Sequence, residues 1–387
     1  FHGIIGQKLK RNCTINWEAI NLPQIDREGM DLPFSEEEVW QAIRQTPTDR
    51  APGPDGFSGI FYRSCWATIK QDLLDSLNQF YHMNFSNLGI LNSANVVLLP
   101  KSDEASEIGQ FIPISLVHSF AKLIAKILSI RLAPKMVNII SPAQSAFLKN
   151  RCIHDSYLFV RNAARSFHRK KKHMLLFKLD IAKAFDSILW EYMLELLQNL
   201  GFSLRWRNWI SAILASSSSV VLLNGSPCPI IQHFRGLRQG DPLSPFLFIL
   251  AIDTLHRVLE AAQNSGLLTR HPGRDAKLRL SLYADDAILF SNPTHEDVAC
   301  LLEIMHHFGQ ATGLRMNPEK STVAPIQCQE INLDHTLEAF AGARVAFLIT
   351  YLGLPITLGR LKKVHLQFVY DRIGAKLASW KGRLMNV

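Results

Sequence analysis

The sequence predicts an α+β fold with helices packed on one face of a sheet. Three observations carry that expectation. Periodic segments follow one another as strand–helix–strand–helix–hairpin–helix–strand. A hydrophobic share of 47% over 387 residues is ample for a large core and for two or three domains. Charged residues make up only 19%, too few for wholesale disorder, and no repeat or low-complexity tract interrupts the pattern.

Each element has its own signal. LPFSEEEVWQAIRQTP (32–47) reads as a short helix, with Ser35 at the cap and Glu38 three residues later completing a capping box. The prolines and glycines of RAPGPDGFSG (50–59) force a rigid turn, and a helical stretch follows near 65–82. ANVVLLPK (94–101) reads as a strand ended by Pro100. SFAKLIAKILSIRLAPK (119–135) places Phe120, Leu123, Ile124, Ile127 and Leu128 on one face, with Lys122 and Lys126 off it. That is an amphipathic helix whose end Pro134 marks.

A basic loop, HRKKKH (168–173), precedes the strand MLLFKLD (174–180). There Leu175, Phe177 and Leu179 point one way, and Leu176, Lys178 and Asp180 the other. SILWEYMLELLQNLG (187–201) is a helix ending at Gly201, and SVVLLNG (219–225) a strand and turn. PFLFILAIDTLHRVLEAA (245–262) is a buried helix with proline at its first position. LRLSLYADDAILFSN (278–292) is two strands about a tight turn. A helix at 295–312 and a strand near 321–326 complete the order.

Lysine and arginine total 42 against 33 acidic residues, a net charge of +9. Residues 359–387 carry seven basic residues and one acidic, two thirds of that excess. A basic tail is either a solvated surface or a nucleic-acid contact; HRKKKH has the same two readings, with nuclear import as a third. The cysteines, at 13, 65, 152, 228, 300 and 328, form no C-x-x-C pair, which excludes a zinc knuckle or redox dithiol and fits buried, reduced, intracellular thiols. No apolar run reaches the roughly 18 residues of a membrane span. The chain opens on Phe1 without a signal peptide and reads as a fragment or decayed reading frame cut at both ends.

SLYADDAILF (281–290) sets Asp285 beside Asp286 inside an apolar segment. If the flanking strands pair, the carboxylates sit at a hairpin tip, where two anions need a cation, and hard oxygen donors suit Mg²⁺. An exposed turn carrying two aspartates for solubility is the alternative. Asp180 ends the strand at 174–179. Should that strand lie beside the hairpin, three carboxylates converge, a group suited to two divalent ions. Otherwise Asp180 caps the turn into the next helix, a role that suits Asp186 better.

In chain order, FKLDIAKAFDSILW (177–190), RGLRQGDPLSPFLFIL (235–250) and SLYADDAILF resemble motifs A, B and C of reverse transcriptases. RAPGPDGF, PISLVHSFAKLIAKIL, AQSAFLKNRCIHD, GLRMNPEKS, YLGLPI and LASWKGRLMNV resemble flanks found in plant LINE-type retrotransposons, which lack long terminal repeats. The resemblance spans about residues 30–387. It implies a right-hand polymerase: an N-terminal extension and start of fingers (1–90), fingers (91–175), palm (176–345), and a primer-grip region with a truncated thumb (346–387). The implied reaction is RNA-directed DNA synthesis, with RNA template, DNA primer and dNTPs as partners, and two Mg²⁺, or Mn²⁺ instead, as cofactor.

Residue by residue, the resemblance implies metal ligation by Asp180, Asp285 and Asp286 and by the Ile181 carbonyl. Phe185 resembles the steric gate against a 2′-hydroxyl. Gln239 and Gly240 would approach the nucleotide, Lys101 its triphosphate, and Lys320 the departing pyrophosphate. Gln144, Ser145 and His154 match a segment that touches template or packs and caps. Tyr351, Leu352 and Gly353 resemble the primer grip. Lys362, Lys363 and the segment up to Trp380 resemble the start of a thumb. Asp241, Pro242 and Ser244 shape the motif B turn.

One position departs from the pattern. The family places arginine before PISL, and here Ile112 stands in its place. Two alternatives therefore stay open: an inactive nucleic-acid-binding relic, and a maturase of the group II intron kind. An intracellular location, nuclear for integration, follows from the family; oligomeric state does not.

Overall fold

The computed structural model describes residues 2–100, 102, 104–271 and 278–376. Lys101 and Trp380 lie outside them. Two five-stranded sheets and a two-stranded hairpin are surrounded by helices. The first sheet pairs Ser93–Pro100 antiparallel with Phe111–Val117 and parallel with Ser218–Leu223, which turns back through Asn224 and Gly225. The second runs in the order Ala343–Arg344, Thr322–Ile326, Met174–Leu179, Asp286–Ser291, Leu280–Tyr283.

The strand Met174–Leu179 is the middle of the second sheet, and its alternation sorts two cores. Leu175, Phe177 and Leu179 enter the large core with Tyr192, Trp206, Trp209 and Phe248. Met174 and Leu176 enter a second core with Ile288, Phe290, Tyr157, Val160 and Phe167. Both faces of the sheet are therefore covered, which corrects the expectation of helices on one face. The covering helix, Ile153–Arg169, buries Tyr157, Val160, Ala164 and Phe167 at steps of three and four.

Helix Glu36–Gln45 starts as expected, with the Ser35 hydroxyl accepting from the Glu38 N–H at 3.2 Å. The capping box is only half formed. The Glu38 carboxylate instead takes both arms of the Arg131 guanidinium, at 2.6 and 2.7 Å. A bidentate charge-assisted pair outweighs one bond to a solvated amide.

Helix Ser119–Ile139 does not stop at Pro134, which lies inside it. An interior proline costs about 3 kcal/mol. Here Leu132, Met136 and Ile139 on either side are buried, and full burial of such side chains is worth roughly 1.5–3 kcal/mol each. Nor is the helix one-faced: Ala125 and Ser129 are buried too, and half-burial lowers the pKa of Lys122 and Lys126. Of the cysteines only Cys328 is buried; Cys152 is exposed and the rest are half-buried, all as free thiols. No described helix is long and apolar enough to cross a membrane.

Candidate active site

The tight turn is present. Tyr283 pairs with Asp286 across the hairpin, leaving Ala284 and Asp285 as the connection, with Ala284 left-handed at φ 53°. In the neighbouring ladder Leu179 pairs with Ala287. Asp180 follows directly on that pair, close enough for its charge to act on both Asp285 and Asp286. The strand pairing thus brings residues far apart in sequence to one end of one sheet.

A second loop grips Asp180. Its N–H donates to the Ser321 hydroxyl at 3.1 Å, and its carbonyl accepts from the Asn317 N–H at 2.8 Å. The Asn317 amide also donates to the Asp180 carboxylate at 3.3 Å. Lys320 lies exposed in the same turn, one residue before Ser321. Ile181 buries its side chain and bridges to Met316, the hydrogen bonds coming from the Asp180 carbonyl and the Ala182 N–H, so its own carbonyl stays outside the pairing.

Electrostatics register the crowding. Surrounding protein raises the pKa of Asp285, and the charge of Asp180 adds to it. Burial likewise raises Asp286, with Asp285 and Asp180 adding and Lys178 opposing. Both residues are nevertheless exposed, so the upward shifts come from protein packed around them rather than from enclosure. Among the described residues no three Asp, Glu, His or Cys side chains close on a single point. Asp180 turns one oxygen to the Asn317 amide. The donor set, two neighbouring carboxylates on the hairpin with Asp180 at the end of the adjoining strand, is all hard oxygen and fits a hard divalent ion.

The loops carrying motifs A and B are zipped together beside this cluster. The Phe185 carbonyl accepts from the Leu237 N–H at 2.7 Å, and the Ile188 carbonyl from the Gly236 N–H at 2.8 Å. Gly236, at φ 83°, lies so close that a Cβ would meet the Asp186 backbone at 2.7–2.9 Å. The half-buried Phe185 ring stacks on Phe248 at 4.3 Å and 13°. Gln239 is half-buried, its carbonyl accepting from the Ser115 N–H at 3.1 Å. Gly240, exposed at φ 101°, sits where a Cβ would press on the Ser115 carbonyl at 3.1 Å. Asp241 caps the turn, accepting from the Leu243 N–H at 2.8 Å.

Arg238 escaped the sequence reading. It is buried, donates to the Asn92 carbonyl at 2.8 Å and to its side-chain oxygen, and faces Asp241 at 3.6 Å. The only signal was an arginine within a tight turn next to Gln239.

Other expected residues divide. His154 is exposed on the first turn of Ile153–Arg169, and Lys362 and Lys363 are exposed near the end of the described chain. Leu352 and Gly353, at φ 49° and 77°, form the turn of the hairpin Ile349–Ile356, with Gly353 exposed. Tyr351 is buried. Its hydroxyl lies beside Ser281 and Ser156 without a well-formed bond, and burial pushes its pKa up to about 12. Gln144 and Ser145 are buried as well. Gln144 bonds to Ala284 and Ser145 to Ser156, so packing rather than template contact is what these side chains do here. The expected basic loop begins later than 168, because His168 and Arg169 belong to helix Ile153–Arg169; His168 and His173 both bond to Gln327.

Asp186 was expected to cap the following helix. It lies instead within the short turn Ala184–Ser187, and helix Trp190–Asn199 has no side-chain cap. Burial raises its pKa to about 6, partly offset by Lys183. A raised folded pKa means stability present at low pH and lost as pH rises from 3.8 through about 6. Asp186→Asn is therefore expected to stabilise the protein by ~1–3 kcal/mol at pH 8, with the gain vanishing near pH 4. Urea midpoints at both pH values check this; equal midpoints at pH 8 would contradict it.

Comparison with known proteins adds to the geometry. Residues 99–356 match the family described as reverse transcriptase (RNA-dependent DNA polymerase). The chain is 29% identical to the transposon TX1 uncharacterized 149 kDa protein of Xenopus laevis over 96% of its own length and 28% of that protein's. It is 27% identical to the retrovirus-related Pol polyprotein from type-1 retrotransposable element R2 of Nasonia vitripennis, over 81% of its own length and 29% of that protein's. Over 67 residues, 17% of the chain and 55% of the relative, it is 42% identical to the uncharacterized mitochondrial protein AtMg01250 of Arabidopsis thaliana. The chain thus spans less than a third of the first two relatives. With motifs A and C joined at one sheet end and motif B locked beside them, this chain belongs to the reverse transcriptase family, and it is similar to proteins of retrotransposable elements.

Proposed function

We propose that this chain extends a DNA primer on an RNA template at the carboxylates Asp180, Asp285 and Asp286, with two Mg²⁺ as the ions. The observation that carries the proposal is the strand register that pairs Leu179 with Ala287, which brings Asp180 at the end of one strand to the hairpin turn that holds Asp285 and Asp286. The primer 3′-oxygen bonds to the α-phosphorus of the dNTP, the bond to pyrophosphate breaks, and the hydroxyl proton leaves to solvent. Bound at the three aspartates, the divalent ions would activate the hydroxyl and neutralise charge on the phosphates. The chain's own part is positioning. Phe185, supported by Phe248, lies under the incoming sugar and clashes with a 2′-hydroxyl. Gln239 and Gly240 line the nucleotide's path. Lys320 gives a proton to pyrophosphate.

The exposed Lys362, Lys363 and His154, with the Leu352–Gly353 turn, lie along the duplex. Phosphate contacts of this kind weaken steeply with salt. The family motifs in the flanks and the Arabidopsis likeness support a plant host, and integration places the work in the nucleus. Primer extension on an RNA template with Mg²⁺ and dNTPs is the test; a DNA-only template requirement would defeat the proposal.

A second reading, a binding remnant with weakened chemistry, is favoured by one observation. Ile112 pairs with Leu99 on the hairpin of the first sheet, and both are exposed, so an apolar pair stands where the family sets a triphosphate-binding cation. A charged phosphate contact is worth about 1.5–3 kcal/mol. Ile112→Arg is therefore expected to raise extension at low dNTP about tenfold or more, and equal rates would remove the ground for this reading.

A further inference from the structure

Asp285 leaves the sheet from Ala284, a left-handed residue that an L-alanine adopts reluctantly. One wholly buried side chain holds that residue from both sides. The Oε1 of Gln144 accepts from the Ala284 N–H at 3.0 Å, and its Nε2 donates to the Ala284 carbonyl at 3.3 Å. The carboxamide pairs with Ala284 as a neighbouring peptide group would. The same Oε1 takes the Ala146 N–H at 2.9 Å.

The surrounding backbone repeats the pattern. The Leu282 N–H donates to the Ala143 carbonyl at 2.7 Å, and the Ser145 N–H to the Leu282 carbonyl at 3.1 Å, so this segment lies parallel to the edge strand Leu280–Tyr283. Behind it, Arg151 donates to the Gln144 carbonyl at 2.6 Å, and the buried Asp253 accepts from the Ser141 N–H. Gln144 is thus fixed from behind and by the Ala146 N–H, and across to the hairpin its side chain bonds to Ala284, the residue before Asp285.

We infer that Gln144 is a positioning residue for the catalytic turn. It holds Ala284 in its left-handed conformation and thereby aims Asp285 and Asp286 at a divalent ion. The consequence rests on the polymerase reading; the geometry does not. Asparagine is one methylene too short to make both bonds, and methionine fills the volume but makes neither.

The test is amide exchange across residues 282–287 without added metal, beside the Mg²⁺ dependence of the melting temperature, for Gln144→Ala and Gln144→Met. Exchange at Ala284 and Asp285 is expected to quicken roughly tenfold or more, with the helices unchanged. Half-saturating Mg²⁺ for the thermal shift is expected to rise roughly tenfold. Affinity for an RNA–DNA primer-template is expected to hold within about twofold. If alanine prevents folding, the methionine variant carries the measurement. Unaltered exchange at Ala284, uniform loosening of the whole chain, or a loss confined to primer-template affinity would each overturn the inference. Failure of wild-type extension alongside the expected exchange result would defeat the polymerase reading and leave the positioning role standing.

Discussion

Asp285→Asn is expected to cut Mg²⁺-dependent primer extension on the order of 10³-fold or more, since several kcal/mol of charge stabilisation depend on the site and each 1.36 kcal/mol is a tenfold change. Affinity for the RNA–primer duplex is expected to stay nearly constant, because phosphates are held by cations elsewhere. The same substitution has a second signature without metal. Surrounding protein and Asp180 raise the pKa of Asp285, so the folded state binds protons more readily than the unfolded chain. A carboxylate of this kind costs stability once pH exceeds its folded value. Metal-free Asp285→Asn is therefore expected to melt higher than wild type at neutral pH and to lose most of the Mg²⁺-induced shift. Extension at the wild-type rate, or an undiminished shift, would count against the metal assignment.

Phe185→Ala is expected to lower discrimination against ribonucleotides by about 10–100-fold, the range a single steric contact supplies. The ring is half-buried, with one face stacked on Phe248 at 4.3 Å, a packing that suits the gate role proposed for it. Its carbonyl bond to Leu237 survives truncation because it is made by the backbone. Competing dNTP and rNTP incorporation measures the effect. Loss of dNTP use with discrimination intact would mark Phe185 as a core residue only.

The sequence made some of this visible and hid the rest for identifiable reasons. The hairpin at 280–291 was legible because two short apolar runs flank a polar pair, and the central strand because Leu175, Phe177 and Leu179 repeat at every second residue. What hid the second core was the helix Ile153–Arg169. Tyr157, Val160, Ala164 and Phe167 follow a helical period, yet Arg161 and Arg165 interrupt it and the basic stretch at its end reads as loop, so no element is assigned there from sequence. Pro134 reads as a stop by local rules, and burial on either side of it overrides them. Gln144 and Tyr351 carry polar groups that suggest a surface, and only tertiary packing shows that both face inward. Ala284 offers no glycine to announce a left-handed turn, so its partner could not be sought from sequence. The aspartates were readable as a type of chemistry, and their proximity only as a consequence of strand pairing.

The central claim is that Asp180 and Asp285 serve one divalent-ion site. Calorimetric titration of Mn²⁺ into wild type, Asp180→Asn, Asp285→Asn and the double variant tests it most directly. Each single substitution is expected to remove most of the binding, and the double to lose little more, because two ligands of one site act as a unit. Independent, additive losses, or full binding retained in either single variant, would contradict it.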